Sequence, residues 1–125
     1  GGAGSSGATD AGTAPIKYAG YMENFFILNC GGCHVAVNGK TTGNFAFSYE
    51  NFLAPVNPEH AGCPNLDASK RRVVPGKPEN SLVYIKASLP TPPSACGGHM
   101  PNSNSMLSDS SLKLIYDWIK QGANP

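Results

Sequence analysis

Cys30, Cys33 and His34, in the stretch CGGCHVAVNG over residues 30–39, set two thiols three positions apart with an imidazole directly after the second. Such a pattern serves three kinds of chemistry: zinc binding, thiol–disulfide exchange, or covalent attachment of a haem. Zinc needs about four ligands, usually delivered as two close pairs. Only Cys30 and Cys33 form a close pair, while Cys63 and Cys96 are isolated in the chain, so a four-cysteine site would have unusual spacing. A redox-active pair belongs at a helix N-terminus after a strand, where the helix dipole lowers the thiol pKa. This pair follows a helical pattern instead, and no βαβ unit is readable. C-x-x-C-H is also the attachment pattern for haem c. Two thiols at this spacing can add to the two vinyl groups on one porphyrin edge, and the adjacent imidazole of His34 is then delivered to the iron. Gly31 and Gly32 ease the tight path between the attachment points.

A haem iron held on one side by His34 needs a second axial ligand or an open face. The stretch CGGHMP over 96–101 offers both His99 and Met100, the latter 66 residues beyond His34, enough chain to reach the opposite face. Adjacent side chains on an extended loop point in different directions, so only one of them can bind. Gly97 and Gly98 allow the backbone to approach closely, and Pro101 stiffens the exit. A thioether suits a dry haem face better than an imidazole whose second nitrogen needs its own partner.

The remaining composition limits the alternatives. A chain of 125 residues with a net charge of +1 fits one compact domain and gives no general electrostatic attraction to nucleic acid or anionic membrane. Leu, Ile, Val and Phe total only 24, a thin core that a large apolar cofactor could supplement. No stretch approaches a membrane span, and no signal-peptide core is present. With Cys30 and Cys33 used by a site, Cys63 and Cys96 remain as an even pair that can bond in an oxidising compartment.

The elements that must position these groups read as helices joined by long loops. Residues 1–15 hold five glycines and no large apolar side chain, the composition of a flexible linker. That segment could be the stalk of an anchored exported protein or a remnant of recombinant expression. Residues 16–30 predict a first helix, with Tyr18, Tyr21, Met22, Phe25 and Phe26 as its apolar stripe and the cysteine pair at its C-terminal end. Ser48 caps a short turn of helix carrying Tyr49, Phe52 and Leu53. Residues 78–90 predict another helix, with Leu82, Ile85 and Leu89 on one face. The last helix follows Ser108, buries Leu112, Ile115, Tyr116 and Ile119, and stops at Gly122. With no strand alternation, the fold class is all-α.

Together, VVPGKPENSLVYIK, CGGHMP and LIYDWIKQGA resemble a class I monohaem cytochrome c, of the bacterial exported subgroup that carries an extra disulfide; the likeness spans about residues 16–123. The resemblance implies the cytochrome c fold, with N- and C-terminal helices packed together and long loops wrapping the haem, over a domain of residues 16–125. It also implies one haem c bound through Cys30 and Cys33, with His34 and Met100 as axial ligands. Phe26 would face the haem, Trp118 would pack against the first helix, and Cys63 would pair with Cys96. An arginine before the VVPG run is common in the family, so Arg72 is expected to hold a haem propionate. Arg71, a solvated turn, or a docking patch for a redox partner are alternatives for the basic run KRRVVPGK. Two positions depart from the pattern: Met22 and Val35 stand where many members have glycine. The first predicts either a wider helix crossing or Gly20 taking over the close contact.

The function expected is single-electron transfer between a redox donor and an acceptor protein, in the periplasm or otherwise outside the cytoplasm. It needs no membrane span, though the linker could tether the domain. No independent catalytic apparatus is readable. The rivals are a haem domain with an open sixth position that binds a gas or peroxide, and a haem-free zinc module. His60 is expected to be a solvated loop residue, Met106 a packing residue, and Tyr84 and Trp118 packing rather than relay aromatics.

Overall fold

The computed structural model describes residues 14–34, 48–98, 100 and 107–125, with side chains 31–34 left aside. Among the described residues there are four α-helices: α1 Glu23–His34, α2 Tyr49–Leu53, α3 Leu82–Ser88 and α4 Asp109–Lys120. Short 3-10 turns at Pro58–His60, Pro78–Asn80 and Ser94–Cys96 punctuate the loops. Among the described residues there is no strand, only isolated bridges between Lys17 and Asn124 and between Pro55 and Arg71. The protein is all-α in this sense. Of the expected linker, residues 1–13 lie outside the described residues.

The helix ends follow their local chemistry. Ser48 and Ser108 accept the backbone N–H groups of Asn51 and Ser111, so both expected caps are formed. At the other end of α4, Gly122 N–H donates to Ile119 and Ala123 N–H to Trp118, the paired bonds of a Schellman stop. The first helix begins later than the apolar spacing suggested. Ala19 and Gly20 leave helical geometry, with Gly20 at φ 78°, and Tyr18–Met22 forms a wide turn closed by Met22 N–H on Lys17 O at 3.0 Å. Tyr21 is consequently exposed rather than part of a buried stripe. Helix α3 is also shorter than expected. It ends at Ser88, and Leu89 stands exposed beyond it.

The main core gathers Met22 from the turn before α1, Phe26 from α1, Phe52 from α2, and Ile115, Trp118 and Ile119 from α4. Trp118 has no exposed surface; its ring meets Phe26 edge-on at 6.0 Å and Phe52 at 6.3 Å. Met22 is itself fully buried, so a large side chain occupies the position where glycine was the pattern. Gly20 does not replace it: nothing lies within 4 Å of where its Cβ would be. A second cluster holds Val56, Leu82 and Ile85 around a disulfide between Cys63 and Cys96, whose Cα atoms are 4.6 Å apart. Helix α3 serves both cores, with Leu82 and Ile85 in one and Ala87 in the other.

Hydrogen bonds order the long middle loop. Val56 N–H donates to Lys70, Arg72 N–H to Ala54, Val73 N–H to Phe52 and Val83 N–H to Arg72. Ser81, with no exposed surface, accepts from Val74 N–H at 2.8 Å and donates to Lys77 O at 2.8 Å. Trp118→Ala should cost about 3–5 kcal/mol of unfolding free energy through the cavity it leaves. Ser81→Ala should cost about 1–3 kcal/mol by stranding the Val74 amide. Urea denaturation of each variant checks both values, and a cost near zero in either case would contradict the assigned role.

Candidate functional site

Cys30, Cys33 and His34 all lie in the last turn of α1, which continues through the motif instead of stopping at Cys30. Positions i, i+3 and i+4 of a helix lie on one side of it, so the turn brings the two cysteine positions and the histidine position together. Cys30 is half-buried and packs against the main core. The side chains of Cys33 and His34 lie outside the described residues. A helix C-terminus carries the negative end of the dipole, which disfavours a thiolate. That location runs against a redox-active pair, which needs the opposite end.

Cys63 and Cys96 are consumed by their mutual disulfide, as the leftover-pair reading expected. They cannot then supply thiolates, and the second half of a four-cysteine zinc site is removed. The donor set that remains at the α1 turn, two cysteines followed by a histidine, fits covalent haem attachment. Met100 is half-buried, and its N–H donates to Lys86 O of α3 at 2.9 Å, which fastens this residue to the body of the protein. His99, Pro101 and Met106 lie outside the described residues, as does Val35.

Arg72 is 9% exposed and does not belong to a solvated turn. Its guanidinium donates to Asn51 O and to Asn57 Oδ1, both at 2.9 Å. Asn51 O is one of the last carbonyls of α2, where a cation complements the helix dipole. Burial pulls the Arg72 pKa below its ordinary value. Lys70 and Lys77 of the same run stay exposed at the surface, where Lys70 Nζ donates to Ala61 O at 2.8 Å and Lys77 pairs with Asp67 at 3.0 Å. These bonds tie the loop to itself.

His60 departs from its expectation. Its Nδ1 lies 3.2 Å from Ala95 O, so Nδ1 carries the proton, while Nε2 is buried without a partner among the described residues. Tyr18 likewise has a buried hydroxyl with no partner among those residues. Burial pushes its pKa up to about 12, helped by the negative charges of Glu23 and Glu50. Lys86, 9% exposed, has its pKa lowered by burial, partly countered by Glu59. Sequence reasoning missed Lys86 and Ser81 because each sits at a helix start or interior with an ordinary local pattern.

Compared with known proteins, the chain matches no protein-family model, no curated protein and no solved structure.

Asp67 gives a pH test of the basic loop. Ser69 N–H, then Lys77 and the Ser69 hydroxyl, hold its carboxyl well below the usual carboxylate range. A folded-state pKa depressed in this way contributes stability that is present above the unfolded value of about 3.9 and lost as pH falls below it. Asp67→Asn should therefore be less stable than the parent at pH 7, with the gap narrowing through pH ~4 and below. Denaturation midpoints across that range check the sign; a gap that widens in acid would refute it.

Proposed function

We propose that this protein is a single-electron carrier of the class I monohaem cytochrome c type. The observation that carries the reading is the C-x-x-C-H turn closing α1 while the other two cysteines are bonded to each other. Cys30 and Cys33 are the thioether anchors, His34 the proximal ligand and Met100 the distal one. Haem c, when bound, supplies a one-electron couple that changes oxidation state without changing its ligands, and a thioether ligand raises its potential relative to a second imidazole.

The chain's own residues do the remaining work. Phe26, 2% exposed, and the half-buried Phe25 keep the face of α1 before the cysteines apolar and exclude water from it. Met100 enters from a loop whose backbone is bonded to α3, so little motion accompanies a change of charge. Arg72 stays the choice for a propionate partner, since a guanidinium fork matches a carboxylate and its charge is already held beside α2.

The disulfide favours an oxidising compartment, in keeping with a periplasmic or other extracytoplasmic setting. No helix among the described residues is long and apolar enough to cross a membrane. The partners are a redox donor and an acceptor protein, and residues 1–15 could tether the domain near them.

Absorption spectra of the oxidised and reduced protein decide between this reading and its rivals. The ferric protein should be low-spin, with the weak far-red band of an iron–thioether bond. Met100→Ala should abolish that band and His99→Ala should leave it. A high-spin ferric spectrum in the parent would favour the open-site haem domain, and the absence of any haem bands would favour a haem-free module.

A further inference from the structure

Three ties fasten the segment from Ala95 to Met100 to two parts of the molecule, the 60–63 turn of the middle loop and α3. Cys96, with no exposed surface, is bonded to Cys63 in the middle loop. Just before it, Ala95 O accepts from His60 Nδ1 at 3.2 Å. At the far end, Met100 N–H donates to Lys86 O of α3 at 2.9 Å. Between these ties the chain turns at Gly97, whose φ of 83° and ψ of −175° fall in a region essentially restricted to glycine.

Gly97 is also hemmed in. A Cβ at this position would lie 2.7 Å from Lys86 Nζ and 2.9 Å from His60 Cε1. The backbone conformation alone strains an alanine here, and these close contacts add to it. Gly98 makes a matched contrast, because nothing lies within 4 Å of its Cβ and its φ is not positive.

We propose that Gly97, His60 and the Cys63–Cys96 bridge act as positioning residues for Met100, a clamp that fixes where this residue meets α3. The consequence for function rests on the assignment of Met100 as the distal ligand. A thioether is a weak ligand, and a backbone already held in the bound arrangement loses less entropy on coordination. The clamp thus keeps the sulfur in place against competing small ligands.

Hydrogen exchange at the Met100 amide in the full chain tests the clamp directly. Gly97→Ala should exchange at least about tenfold faster there than Gly98→Ala, the scale set by the strain of a side chain at this φ/ψ. Amides in α4, such as that of Ile115, should keep their protection in both. In the haem-loaded protein, Gly97→Ala should also bind imidazole more tightly than Gly98→Ala. Equal Met100 exchange in the two glycine variants overturns the proposal. Should Gly97→Ala fail to fold, His60→Ala and the double variant Cys63→Ala/Cys96→Ala decide, because each removes one tie without adding backbone strain. Faster Met100 exchange in them supports the clamp, and unchanged exchange in both overturns it. A parent protein without the far-red band would overturn the ligand assignment alone, since the exchange comparison does not depend on it.

Discussion

A fully buried indole sets the terms for the rest of the molecule. Trp118 must find apolar neighbours for its rings and an acceptor for one N–H, because burying that group unpaired would cost free energy. The acceptor is Asn124 O, at 3.0 Å. That same carbonyl accepts Tyr18 N–H at 2.9 Å, and the Asn124 side chain donates to Ile16 O at 3.0 Å. Satisfying one nitrogen therefore stitches the chain's N-terminal segment to the end of α4. Phe26 then lies edge-on to Trp118, which sets where α1 runs and where its last turn, with Cys30, Cys33 and His34, comes to rest.

The second half of the molecule depends less on side-chain volume. Its cluster contains Val56, Leu82 and Ile85 but no buried aromatic ring, and a covalent bond joins the loops that a larger core would otherwise hold. Closing a loop of 33 residues restricts the unfolded chain by about 3–4 kcal/mol in the chain-entropy view. Helix α3 transmits this anchoring, because it touches both clusters and offers the Lys86 carbonyl to Met100. The two candidate axial positions are thus held by different means, one by aromatic packing and the other by a cross-linked loop.

Two bases, Arg72 and Lys86, are each only 9% exposed, and burial lowers the pKa of both. Buried cations are tolerable only where hydrogen bonds or charges compensate for lost water. Arg72 has neutral oxygens from Asn51 and Asn57, and Lys86 feels the charge of Glu59. Arg72 lies in the middle loop, and Lys86 lies on α3, where its backbone carbonyl accepts the Met100 N–H.

Local signals in the sequence determined a good part of this architecture. Ser48 and Ser108 as caps, the buried Ile115 and Ile119, and the stop around Gly122 follow from short-range chemistry, which the tertiary structure had no reason to override. The C-x-x-C-H spacing was equally plain, because the chemistry it suggests is written in adjacent residues. Other features depended on contacts between distant residues. The start of α1 was misplaced because Gly20 adopts a positive φ while the N-terminal segment pairs with Asn124, more than a hundred residues away. Leu89 follows the apolar spacing of α3 but falls past its end, so periodicity alone could not show it exposed. His60, Ser81 and Lys86 look ordinary in the chain. Their surroundings are assembled from the 94–97 turn, the Val74 amide and the Met100 loop, and only folding brings those together. Sequence determined what each residue could do locally; the tertiary structure decided which of them would be buried together, because burial is a property of the assembled packing.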